Sequence, residues 1–248
     1  QAPDGIAVSG MEPSVYGDLY RQAEQAGIVI ICSACLEAPY GALKDTHVTG
    51  TETLKLWARQ IAAFTATHTP TTPNVQMFGL SVYPVLKLFD DTYISALREF
   101  APDAAVTFNE LDFKPNQIAN IYLANPTTNM LVSDLGDFSL GWPAQLSGAG
   151  ANPGCAPLIG GLTAGADAIK TLKAGTTNAW TAYSLPVVGY SVIDSFARYW
   201  TNTPFATNTL PGQVLLPGTV NGAVFNSQGN YVGVADYAAQ FKQLWGVS

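Results

Sequence analysis

The sequence predicts an α/β protein built from two doubly wound parallel-sheet domains, and three observations predict it. Continuous apolar runs at Ile28 to Ile31, Met130 to Leu135 and Pro157 to Gly161 read as strands buried on both faces. Between such runs stand segments with apolar residues at three- and four-residue spacing, ended by Gly or Pro as helices are. The composition agrees: 248 residues, 48% hydrophobic and only 12% charged, can bury a large core in one or two domains and exclude a disordered chain.

Asp4 to Val8 is a strand by composition, expected to be buried. Pro13 and Ser14 open a helix with Val15, Leu19, Ala23 and Ala26 on one face, and Gly27 ends it before the strand from Ile28. Thr51 is placed as the N-cap of a helix whose inner stripe is Leu54, Trp57, Ile61 and Phe64, with His68 at its end. Asn74 to Val82 reads as a strand, Phe89 to Phe100 as a helix, Ala104 to Phe108 as a strand and Gln117 to Ala124 as a short helix. After the strand from Met130 comes Gly136-Asp137. The strand at Pro157 is followed by a helix over Ala164 to Lys173 with Gly175 as its C-cap. An extended piece, Asn178 to Ser184, leads into a helix with Pro186 in its first turn and Val188, Val192, Phe196 and Tyr199 on one stripe. Gln213 to Leu216 is a further extended segment, and a last helix carries Tyr237, Phe241, Leu244 and Trp245.

A net charge of −7 without a Lys/Arg cluster argues against a nucleic-acid partner, and no run of 18 apolar residues is present. No signal peptide or lipidation cysteine stands at the start, which leaves a mature, trimmed or cytosolic chain. Cys32-Ser33-Ala34-Cys35 has the C-x-x-C letters but follows a strand and opens no helix, so a structural disulfide among Cys32, Cys35 and Cys155 is expected over redox or metal chemistry, its pairing left open. Enzyme motifs are missing. There is no Gly-x-Ser-x-Gly elbow, and His47 and His68 have no acid or nucleophile at a telling spacing. Gly160 to Gly165 lacks the Lys-Ser/Thr of a phosphate loop, and no Cys/His/Asp set has metal-site spacing. Asp90 and Asp91 are read as capping a helix start. No cofactor is expected.

The stretch Ala156 to Trp200, ordered strand, helix, bare crossing strand, helix, resembles the C-terminal part of type I periplasmic solute-binding proteins, the sugar-binding family of ABC importers. The matching letters are Gly161-Leu162-Thr163 against the family's Gly-Phe-Asp, Leu172-Lys173-Ala174-Gly175 against Ile-Lys-x-Gly, Ala179 to Tyr183 against Ala-Thr-x-x-Gln, and Gly189. The segment containing Tyr237, Phe241 and Trp245 is similar to the family's terminal helix, and the stretch Pro3 to Ile31 to its third strand, third helix and fourth strand. The resemblance implies two domains joined by hinge strands at Thr49-Gly50, Ala179 to Tyr183 and Gln213 to Leu216. Residues 1–49 with 184–212 would form the first domain, 50–178 the second, and 213–248 the third crossover and terminal helix. It also implies that the first two β-α units have no counterpart, which would leave a hydrophobic sheet edge exposed.

Ligands of such folds sit beyond the carboxyl ends of strands. That rule selects Ser9, Met11, Cys32, Ser33, Tyr83, Glu110, Asp137, Thr163 and Tyr183 as candidate ligand contacts. In register with the family, the sugar-contacting Arg falls on Phe89, the Gly-Phe-Asp aspartate on Thr163 and the crossover glutamine on Tyr183, while Asp137 keeps an acid. Trp142 joins the list, with core packing as the competing assignment. Losing these polar partners predicts a ligand less polar than a sugar, because a buried hydroxyl without a partner costs about 1–3 kcal/mol. The resemblance thus implies an extracytoplasmic protein, secreted or lipid-anchored, that captures a small organic solute by hinge closure and hands it to an ABC permease. The competing expectations are a ligand-sensing domain of a transcriptional or sensor-kinase regulator and an enzyme on a flavodoxin-like fold.

Overall fold

A computed structural model describes residues 3–47, 51–114, 116–206, 210 and 212–247. The chain opens with β1 (Gly5–Ser9), α1 (Pro13–Gln25), β2 (Val29–Ser33) and β3 (Leu43–His47), which make a parallel sheet in the order β1-β2-β3. The central strand is β2, whose Ile31 and Cys32 are fully buried. On the expected buried strand β1 the pattern is mostly exposed, because among the described residues it pairs only with β2 and its other edge is open. The helix α1 also turns differently from expectation. Tyr20 and Ala23 face the core, whereas Val15 and Leu19 are exposed. Tyr16 has non-helical φ/ψ and breaks the helix phase, and the Tyr20 hydroxyl is anchored to the Met11 carbonyl at 2.7 Å. β3 was not anticipated. Its LKDTH is buried only at Leu43 and His47, and residues 34–42 cross over without a helix.

The second sheet has six strands. It is built from α2 (Thr51–His68), β4 (Asn74–Gly79), α3 (Pro84–Phe100), β5 (Ala105–Glu110), α4 (Gln117–Ala124), β6 (Met130–Ser133), α5 (Trp142–Gly148), β7 (Leu158–Gly161), α6 (Ala166–Lys173) and β8 (Ala179–Tyr183). After α7 (Leu185–Trp200) come β9 (Gly212–Leu215) and α8 (Tyr237–Trp245). The order is β5-β4-β6-β7-β8-β9, parallel throughout except for antiparallel β9. Both faces are covered, so side chains of one strand alternate between two cores. Val75, Met77, Met130 and Val132 pack with Trp57, Ile61, Phe89 and Tyr93 of α2 and α3. Phe78, Leu131 and Trp180 pack with Ile118, Trp142, Ile169 and Leu172 on the opposite face.

The chain crosses between sheets later than the sequence suggests. Instead of a bare crossing strand, β8 is internal to the large sheet, paired with β7 and β9, and the crossing follows at Ser184. Ser184 caps α7 by accepting from the Val187 N–H at 3.2 Å. α7 then covers the small sheet, with Val188, Val192 and Phe196 against Val29 and Ile31. The third expected hinge, Gln213 to Leu216, is mostly β9, and Thr49-Gly50 lies outside the described residues. α8 is fastened to α7 by Trp245, which stacks on Tyr190 and donates its indole N–H to Asp194 at 2.9 Å. Tyr237 and Phe241 pack around the same Tyr190 ring, while Leu244 stays exposed.

Candidate functional site

All strands of the small sheet, and all of the large sheet except β9, run in one direction. Their carboxyl ends meet at a cavity of about 480 Å³. The small sheet supplies Ser9 at the end of β1 and Gly10 just past it, Ser33 and Ala34 at β2, and His47 at β3. The large sheet supplies Leu80, Leu135, Leu162, Thr163 and Tyr183 from the ends of β4, β6, β7 and β8. Helix ends close the sides through Tyr83, Val85 and Leu86 of α3 and Leu185 and Val188 of α7. Leu54, Phe138 and Leu210 complete an apolar wall. Gly10 has φ +67, and a Cβ there would press on the Tyr83 ring at 3.2 Å, so the two halves of the cavity touch at this point.

Tyr183 and Thr163 are held in place from several sides. The Tyr183 ring stacks on Trp57, centroids 5.4 Å apart, and it packs against the cores of both sheets. Burial pushes its phenol up, Thr163 opposes this through a side-chain hydrogen bond, and the Asp137 charge adds to the rise. Thr163 sits in the left-handed region at φ +54. Its N–H donates to Thr181 Oγ1 at 2.9 Å and its carbonyl accepts from Gly136 N–H at 2.9 Å. Asp137 stands in the turn Gly136–Ser139, where desolvation and then repulsion from Asp167 lift its carboxyl above the usual range.

His47 takes part in a buried Ser-His-Asp cluster that is not arranged as a nucleophile. Its Nε2 lies 2.6 Å from Ser195 Oγ and 3.2 Å from Asp45 Oδ2, and Ser195 Oγ donates to Asp45 Oδ2 at 2.5 Å. With the serine proton on Asp45, Nε2–H must donate to the serine, so this nitrogen has no lone pair with which to remove a proton. In a catalytic triad the aspartate instead holds the opposite ring nitrogen. Burial raises Asp45, but the hydrogen bonds from His47 and Ser195 outweigh it and hold the carboxyl below its usual range. The cluster ties β3 to α7. The His47 side chain is buried at a strand end.

Of the residues selected from sequence, the cavity gathers Ser9, Ser33, Tyr83, Asp137, Thr163 and Tyr183. It does not gather Phe89, Trp142, Cys32, Met11 or Glu110. α3 begins at Pro84, so its first turn meets the cavity while Phe89 is buried a turn further on, stacked on Tyr93. Trp142 lies on the far side of the large sheet, edge-on to Phe78 at 5.0 Å. Cys32 points into the core and is joined to Cys35 by a disulfide, leaving Cys155 free and exposed. Met11 offers its carbonyl to Tyr20. Glu110 ends the edge strand β5 and accepts from the Ser81 N–H and hydroxyl at 3.0 and 2.8 Å. Sequence reasoning passed over the aliphatic wall, since Leu54 and Val188 carry the signature of core positions and Leu210 has no motif around it.

Among the described residues no group of three or more His, Cys, Asp and Glu is placed to hold a metal, and no helix is long and apolar enough to cross a membrane. No family model matches the sequence, and no curated protein resembles it in sequence. Solved structures do resemble it in shape. A galactofuranose binding protein superposes with a TM-score of 0.73 at 15% identity, over 89% of this chain and 78% of the other. The periplasmic component of an arabinose ABC transporter from Shewanella sp. ANA-3 gives 0.73 at 15% identity, over 99% and 79%. This chain has the type I periplasmic-binding-protein fold. A putative LacI transcriptional regulator from Bacteroides fragilis shares the fold, at 0.73 and 12% identity over 90% and 78%. In this fold the cavity described above lies where two strand-end surfaces face each other.

Proposed function

We propose that the protein is a solute-binding protein of an ABC importer that captures a small organic solute, with an apolar body and few polar handles, between two domains. The domains are the small sheet with residues 184–212, and residues 50–178 with the strand that follows, completed by 213–248. The observation that carries this is the cavity itself: both sheets contribute strand ends, and most of its wall is leucine, valine and aromatic carbon. Several polar side chains on the wall are already engaged. Ser33 donates to the Val8 carbonyl at 3.3 Å, His47 is bonded to Ser195, and Tyr183 to Thr163. A solute with hydroxyls all round would leave some without partners, at about 1–3 kcal/mol each.

Capture needs no bond chemistry. A solute that touches both domains only when they are closed favours the closed state by its difference in affinity. The Cys32–Cys35 disulfide supports an oxidising, extracytoplasmic setting. The fold's occurrence in a putative LacI regulator supports a second reading, a ligand-sensing domain. The disulfide favours the first.

A thermal-shift screen against two panels tests the proposal: pentoses and hexoses in one, small aromatic and alicyclic alcohols, ketones, acids and amines in the other. A solute at 100 times its Kd should stabilise by about 2.7 kcal/mol and raise Tm by roughly 5–10 °C in a chain of this size. The second panel is expected to contain the hits. A shift with sugars alone would overturn the apolar reading, and silence from both panels would overturn solute capture.

A further inference from the structure

Resting on the solute-binding reading, we propose that the polar handle of the solute is a cation, an ammonium or amidinium group, and that Asp137 receives it. Among the described residues the cavity wall contains neither Lys nor Arg. Its ionisable side chains are His47, Tyr83, Asp137 and Tyr183, and His47 and Tyr183 are committed to Ser195 and Thr163. Asp137 is different. No protein donor bonds its carboxylate among the described residues, and the charge that acts on it is another acid, Asp167. Asp137 thus faces the cavity as an exposed acid without a protein donor, and a cation both supplies a partner and offsets the like charge of Asp167.

The surroundings fit a positive handle on an apolar body. The rings of Tyr83, Phe138 and Tyr183 line the same cavity, and aromatic faces attract cations held within about 6 Å. Residue 165 is glycine where it abuts Asp137, and a Cβ there would collide with the carboxylate, so the small residue makes room for it. An anionic solute would meet Asp137 with no compensating cation among the described wall residues. A neutral hydroxyl could donate to Asp137, but only a cation adds charge–charge attraction to the hydrogen bond.

Calorimetric titration at pH 7 with benzylamine, benzyl alcohol and benzoate, which present three charges on one apolar ring, tests the inference. The amine should bind about tenfold or more tighter than the alcohol, and benzoate should bind weakest. Asp137→Asn should bring the amine down to the alcohol's affinity. Asp91→Asn, which removes an exposed carboxylate on α3, should leave the ranking intact and so excludes general attraction to an acidic protein. Equal binding of amine and alcohol, a preference for benzoate, or an amine preference that survives Asp137→Asn would overturn the cationic handle while leaving apolar capture standing. Failure of all three probes to bind would also overturn the cationic handle on an apolar ring, while capture itself stands or falls with the two-panel screen.

Discussion

Asp90→Asn should stabilise the protein at pH 9 by about 2 kcal/mol or more and change it little at about pH 4 and below. The sequence reading made Asp90 a helix-start cap, but α3 begins at Pro84 and buries it: Asp90 is 3% exposed, and neither carboxyl oxygen has a hydrogen-bond partner. Desolvation, then repulsion from the buried Asp134, pushes its carboxyl up to about 8. Asp134 itself, desolvated and close to Glu110 while accepting from the Leu80 N–H at 2.8 Å, rises to about 7. In both cases the folded-state value is raised above the unfolded one. The unfolded chain therefore ionises first, near pH 4, and stability falls as pH climbs from there through the folded values near 7 and 8. An amide at 90 keeps the shape and removes the charge. Melting temperatures of parent and variant between pH 5 and 9 should diverge as pH rises, and parallel curves would refute the buried-acid account.

Gly161→Ala should cost more than 4 kcal/mol or prevent folding. Gly161 closes β7 at φ +149, where side chains are strongly disfavoured, and a Cβ would fall well within 3.0 Å of the Ser133 carbonyl on β6. The clash is with backbone in the middle of the sheet, so no side chain can move aside to relieve it. Leu162 and Thr163 follow directly and line the cavity, so a variant that folds should also lose solute binding. Denaturant unfolding reads the first effect and the thermal-shift response the second. A fully stable Gly161→Ala protein would mean that β6 and β7 are not paired in this register.

Much of the fold was legible because strands covered on both faces leave uninterrupted apolar runs, as in Val29 to Cys32, Met130 to Val132 and Leu158 to Gly161. What resisted reading had a physical cause in each case. β3 has only two buried side chains and no crossover helix before it. The inner face of α1 was displaced by the break at Tyr16. In the site, polar letters just beyond strand ends, such as Thr163, Asp137 and Ser9, could be picked out because the geometry of parallel sheets brings them to the cavity. Phe89 could not be placed without knowing where α3 begins, since one helical turn separates cavity wall from core. Leu135 and Leu162 are chemically the same as core leucines, and only tertiary structure distinguishes a wall from an interior.

The central claim is that one solute touches both sheets at once. A crystal structure of the protein with the most stabilising solute from the screen tests it most directly. The predicted result is solute density enclosed between Ser9 and Ser33 on one side and Thr163 and Tyr183 on the other. Density bound outside this cavity, or held by residues of one sheet alone, would contradict the account.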